Sequence, residues 1–128
     1  MRDVVIIGAG MHRYGKFFEK SVVDMGTAAV KNALTDANVS WEEIETVYCG
    51  TAQPGFANGH QVCNAMGLTG LGITNVENAS ASGSAAFREA YLAVASGAHN
   101  VALAMGVDKY PPQPPKTTPS KPVQGPIL

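Results

Sequence analysis

The chain has 128 residues, enough for one domain, with nine basic and ten acidic residues and a net charge of −1. That balance creates no long-range field of one sign, which argues against nucleic acid or an anionic membrane as partner. Hydrophobic residues at 45% and charged residues at 15% permit a packed core, and two cysteines make neither a disulfide framework nor a metal site.

Val4-Val5-Ile6-Ile7 is a continuous β-branched run. It predicts a strand from Asp3 to Gly8, covered on both faces. The run is too short for a signal peptide or a membrane span, and the expectation is a reduced, cytoplasmic protein. Gly8-Ala9-Gly10 ends the strand, and residues 11 to 20 are irregular. Ser21, with Asp24 three residues on, opens a helix through a near capping box. Val22, Gly26, Ala29, Val30, Ala33 and Ala37 fall on one side of it, and Asn38 stops it. Ser40 to Ile44 reads as one helical turn with its own cap. Glu45 to Cys49 predicts a second strand.

Thr51 to His60 holds Pro54, Gly55 and Gly59 and reads as a loop. Gln61 to Met66 predicts a short helix closed by Gly67, and Ile73 to Asn78 a third strand. Gly83, Ala86, Phe87, Ala90, Tyr91 and Val94 recur at helical intervals, so a helix runs to Ser96 and Gly97 stops it. Val101 to Gly106 predicts a fourth strand. Strand and helix alternate throughout. The fold class is therefore α/β over residues 1–110, a layered domain with a mostly parallel sheet and helices on both faces. Seven of the eight prolines lie between Pro111 and Pro126. Residues 111–128 read as a proline-rich, disordered tail that adds nothing to the core.

Several motifs dissolve on inspection. Gly8-Ala9-Gly10 follows a strand as a dinucleotide fingerprint would, but position 13 is Arg13 and the helix waits until Ser21. His12, His60 and His99 form no metal-ligand pair, so no metal site is expected. His60 lies in the glycine-flanked stretch Asn58-Gly59-His60-Gln61, from which it could reach a site. Cys49 and Cys63 read as buried, inert thiols. Lys116 to Pro122 matches a basic proline motif read by adaptor modules, as a proline-dense tail does by chance.

One stretch carries chemistry. Asn78-Ala79-Ser80-Ala81-Ser82-Gly83 joins a strand to a helix through very small side chains. A side chain there stands at the C-terminal edge of the sheet, facing the positive end of a helix. A developing oxyanion is stabilised in such a place. The helix is worth roughly 0.3–1 kcal/mol when exposed and up to ~2 when partly buried. Serine is a weak nucleophile without a general base. The hydrolase elbow Gly-x-Ser-x-Gly is absent, because Asn78 and Ser82 occupy the glycine positions. On residue chemistry alone two readings stay open: Ser80 as catalyst, or Ser80 or Ser82 as helix cap.

The run Val4 to Met11, Asp24-Met25-Gly26, Tyr48-Cys49-Gly50-Thr51, Gly59-His60-Gln61-Val62, Val76 to Gly83 and Met105 to Lys109 together resemble the N-terminal half of a thiolase. The likeness covers residues 3 to 110. It is greatest to the lipid-transfer or sterol-carrier type. The resemblance implies one of two similar α/β halves, each with a five-stranded sheet, and dimerisation through the first half. It implies condensation or cleavage of acyl-CoA thioesters, with the acyl group carried on a cysteine between the third strand and the next helix. Ser80 holds that position here, and Gly83, Ser82 and His60 become the expected substrate-binding residues. Coenzyme A enters as the substrate's thioester, with no separate cofactor. The family's Gly-His-Pro motif and second cysteine lie in its second half and are absent here. The chain is thus expected to be inactive alone, with a homodimer or a partner carrying the second half as its context. The alternatives are a non-catalytic assembly or binding subunit, a CoA-ester aldolase working with a partner, and, weakest of all, a serine hydrolase.

Overall fold

A computed structural model describes residues 1–53 and 55–111. The proline-rich tail expected from 111 lies, beyond that residue, outside the described residues. Helix α1 spans Val22–Ala37. Its start is the capping box read from the sequence. Ser21 Oγ accepts from the Asp24 amide at 3.0 Å, and Asp24 Oδ2 accepts from the Ser21 amide at 2.7 Å. Asn38 ends the helix in the left-handed region at φ 54. The expected single turn is a 3-10 helix at Trp41–Glu43. Buried Trp41 donates from Nε1 to the Gly67 carbonyl at 3.0 Å.

Strand β1 spans Thr46–Gly50, helix α2 Asn58–Met66, strand β2 Gly72–Val76, helix α3 Ser82–Ala95 and strand β3 Ala102–Gly106. The three strands form one parallel sheet in the order β2-β1-β3. Thr46 pairs with Gly72 and with Ala102; Gly50 pairs with Val76 and with Gly106. The α/β class holds. Val47 and Cys49 of β1 are wholly buried against Val30, Val62 and Cys63 of α1 and α2, with Trp41 and Ile44 beside them. The other face is covered by α3, where Ala86, Ala90 and Ala93 are buried. Their short side chains let that helix lie close to the sheet.

Two expectations are corrected. The helix expected from Gln61 begins at Asn58, so His60 sits in its first turn and not in a loop. The strand expected over Asp3 to Gly8 does not form: residues 1–20 carry no regular secondary structure. A strand exists only by pairing, and this segment is tethered at its two ends instead. The Arg2 amide donates to the Ala95 carbonyl at 3.0 Å, and its guanidinium reaches the carbonyls of Val94 and His99. The Ala9 amide donates to Asp36 Oδ2 at 2.8 Å. A Cβ on Gly10 would lie 2.2 Å from the Ala33 nitrogen, so the two glycines of Gly8-Ala9-Gly10 serve close packing on α1. Between the tethers Val5 and Ile6 remain 77% and 74% exposed.

Three carboxylates stay below their ordinary range. Asp24 is lowered chiefly by the Ser21 amide, Glu43 by the Ser40 amide and Glu45 by the Asn100 amide. A depressed native pKa adds stability that is complete above the unfolded value and lost as pH falls through the native one. Urea midpoints should therefore hold at neutral pH and fall below about pH 4. The Ser21→Ala variant should show a shallower acid decline than the natural chain.

Candidate active site

Strands β1 and β3 end side by side at Gly50 and Gly106, where α3 begins. A Cβ on Gly50 would sit 2.4 Å from the Ser82 carbonyl oxygen. Only glycine lets the first turn of α3 settle on the strand ends. The chain reaches that turn through a bent elbow. Ala79 has φ 46, in the left-handed region that a residue with a Cβ enters at a cost of order 1–3 kcal/mol.

The elbow is held by hydrogen bonds. Ser82 Oγ accepts from the Asn78 amide at 2.8 Å and donates to the Ala79 carbonyl at 2.7 Å. The Ala81 and Ser82 amides donate to the carbonyls of Asn78 and Ala79. The Ala79 amide donates to Glu77 Oε1 at 2.6 Å. Ser82 is buried, and its hydroxyl is committed to the elbow. Neither serine caps α3: the N-cap is Ala81, which has no capping side chain. What the sequence offered as a cap is a brace inside the first turn.

Ser80 stands on this elbow and is exposed. No hydrogen-bond partner for its hydroxyl occurs among the described residues. Around the Cβ position of Gly83 the space is open. Glycine there is not required by packing within the chain.

His60 is fixed elsewhere. Asn75 Oδ1 accepts from the Gly59 amide at 2.8 Å, which leaves Asn75 Nδ2 to donate to His60 Nδ1 at 2.9 Å. His60 lines a cavity of about 520 Å³ with Phe56, Leu68 and Ile73, and Ser80 does not. Nor does Ser80 line a second cavity of about 760 Å³ beside β3. Among the described residues no histidine hydrogen-bonds to Ser80. Sequence reasoning also passed over Asp108. Its carboxylate accepts from Thr51 Oγ1 at 2.8 Å and from the Ala52 and Gln53 amides at about 3 Å. That carboxylate fixes the loop leaving β1. An acidic residue just past a strand end was the available signal.

Both cysteines are buried and free. Burial pushes the Cys49 thiol up to about 12 and the Cys63 thiol up to about 11. Among the described residues no cluster of His, Cys, Asp or Glu could hold a metal, and no helix is long and apolar enough to cross a membrane.

Residues 4–122 match the family described as thiolase, N-terminal domain. An acetyl-CoA acetyltransferase of Methanothermobacter thermautotrophicus is 36% identical over 114 residues, 85% of this chain and 30% of the relative. Sterol carrier protein 2 of Gallus gallus is 32% identical over 111 residues, 84% of this chain and 20% of the relative. The crystal structure of 3-oxoacyl-[acyl-carrier-protein] synthase III from Aquifex aeolicus superposes with a TM-score of 0.57 at 27% identity, over 62% of this chain and 27% of that one. The chain thus spans less than a third of the length of these relatives.

Ser82→Ala leaves the Asn78 amide without its acceptor and should cost about 1–3 kcal/mol in urea unfolding. Ser80→Ala, at an exposed side chain without a partner, should stay within about 0.5 kcal/mol of the natural chain. A thiol reagent at pH 8 should label neither cysteine in the native protein and both after denaturation.

Proposed function

The chain belongs to the thiolase family through its N-terminal domain, and on that premise we propose that it serves acyl transfer from coenzyme A thioesters, with Ser80 in the acyl-carrying position. One observation carries this reading. An exposed hydroxyl, held on a bent elbow, stands at the C-terminal edge of a parallel sheet before the first turn of α3. The thioester carbonyl would approach over Gly83, where the space is open. Amides of the first turn of α3 would receive the developing oxyanion.

The same geometry supports incompetence of the chain alone. A serine hydroxyl needs a general base to attack a thioester. His60, expected from the sequence as a substrate-binding residue, has Nδ1 engaged by Asn75 on β2. The missing base would come from a second thiolase half, on a partner or joined to a homodimer. The reading calls for no cofactor beyond the thioester, and a reduced cytoplasmic setting suits two free thiols.

A second reading, a non-catalytic assembly subunit, is favoured by Phe56 and Leu68, 90% and 86% exposed beside the free edge of β2. In that case Ser80 marks ancestry and the β2 side meets the partner.

Acetyl-CoA distinguishes the readings. Mass spectrometry should find one acetyl group on the Ser80→Cys variant and none on the natural chain. A cysteine at that helix start is readily ionised, whereas serine is not. Rapid thiolysis of acetoacetyl-CoA by the natural chain alone would refute the claim of incompetence. A Ser80→Cys variant that stays unmodified would leave assembly as the function.

A further inference from the structure

The segment Met11 to Lys20 sets large apolar side chains among cations. Met11, Tyr14 and Phe18 are 59%, 89% and 72% exposed. Arg13, Lys16 and Lys20 are interleaved with them, and Glu19 is the one acid in the stretch. None of the three cations pairs with a carboxylate among the described residues. Two of them share one ring. Arg13 Cζ lies 5.3 Å and Lys20 Nζ 5.0 Å from the centre of half-buried Phe17, and the His12 ring meets it edge-on at 4.9 Å. Lys20 Nζ also donates to His12 Nε2 at 2.9 Å. Like charges drawn to one ring repel each other, and an anion beside them relieves that.

The main chain of this segment is pinned at both ends. Asn32 Nδ2 of α1 donates to the Met11 carbonyl at 3.0 Å. Lys109 Nζ, just past β3, donates to the Phe17 carbonyl at 2.9 Å and reaches those of Phe18 and Lys20. Between these pins residues 13 to 16 are all exposed. Neither cavity described above is lined by any residue from 11 to 20. A small ligand needs a concave site. Exposed aromatic tips between unpaired cations fit an extended anionic surface instead. The tips enter an apolar boundary while the basic side chains reach the charges above it.

We propose that residues 11–20 dock on the face of a bilayer that contains anionic phospholipid, with Tyr14 and Phe18 inserted and Arg13, Lys16 and Lys20 on headgroup phosphates. A membrane suits the patch better than nucleic acid does. Single strands follow a cationic groove and stack on aromatic faces, which leaves Met11 without a role. An acyl boundary takes up Met11, Tyr14 and Phe18 alike. The net charge of −1 gives the chain no pull at long range, and the expectation drawn from it concerned that field alone. Docking works at contact, inside a screening length of ~8 Å at physiological salt, where local charges decide. The contact is peripheral, since no helix among the described residues could cross a bilayer. The inference does not depend on Ser80 or on acyl transfer.

Co-sedimentation of the full chain with lipid vesicles tests it. The probes are vesicles of phosphatidylcholine alone and of phosphatidylcholine mixed equally with phosphatidylserine. The chain should bind the mixed vesicles at least ~tenfold more tightly than the neutral ones. It should be released between ~0.1 M and ~1 M salt, as the screening length falls from ~10 Å to ~3 Å. The Tyr14→Ala/Phe18→Ala and Arg13→Glu/Lys16→Glu double variants should each weaken binding at least ~tenfold. Lys31→Glu, an exposed change on α1, should leave it unchanged. The lipid and salt arms use the natural chain, so they decide even where a variant unfolds. Equal binding to both kinds of vesicle, or to neither, would overturn the proposal. So would an equal loss with Lys31→Glu, which would make net charge the cause, or tighter binding of a single-stranded oligonucleotide by the same residues.

Discussion

The contact between Gly50 and the Ser82 carbonyl is the constraint on which the site depends. It brings the first turn of α3 onto the end of the central strand, closer than any side chain at position 50 allows. Once the helix starts there, the chain from β2 must turn sharply to reach it. Ala79 absorbs that turn in a left-handed conformation. The buried hydroxyl of Ser82 stabilises the turn by bonding both sides of it. Ser80 stands exposed between these anchored positions.

The same economy separates positioning from chemistry. Ser82, Glu77 and Asp108 hold main-chain amides and carbonyls in place, whereas the Ser80 hydroxyl holds no partner among the described residues. A hydroxyl without such a role, in a place prepared by side chains that have one, is consistent with a function directed outward. Among the described residues no histidine hydrogen-bonds to Ser80, and this limits that function. A helix end can stabilise an anion but cannot create one from serine, because the ~2 kcal/mol that it supplies at most falls far short.

A cavity beside β3 is lined from both helical layers, and the N-terminal β-branched run is held along it by Arg2 and Ala9. Read as sequence, Val4 to Ile7 has every local property of a buried strand. Its failure to pair is a statement about neighbours and not about propensity.

Local signals were therefore legible. The Ser21–Asp24 box, the stop at Asn38, the turn at Trp41 and the helical spacing of α3 are short-range bonds and periodicities, and the chain itself determines them. Strand–helix alternation in the same way determined the parallel α/β class. Which strands pair, whether Ser82 caps or braces, and where His60 faces depend on residues distant in the chain. Asn75 claims His60 across 15 residues, and Asp108 gathers the 51–53 loop across more than 50. Such partners are assigned only when the layers stack, because a hydrogen bond between distant segments needs both already in place.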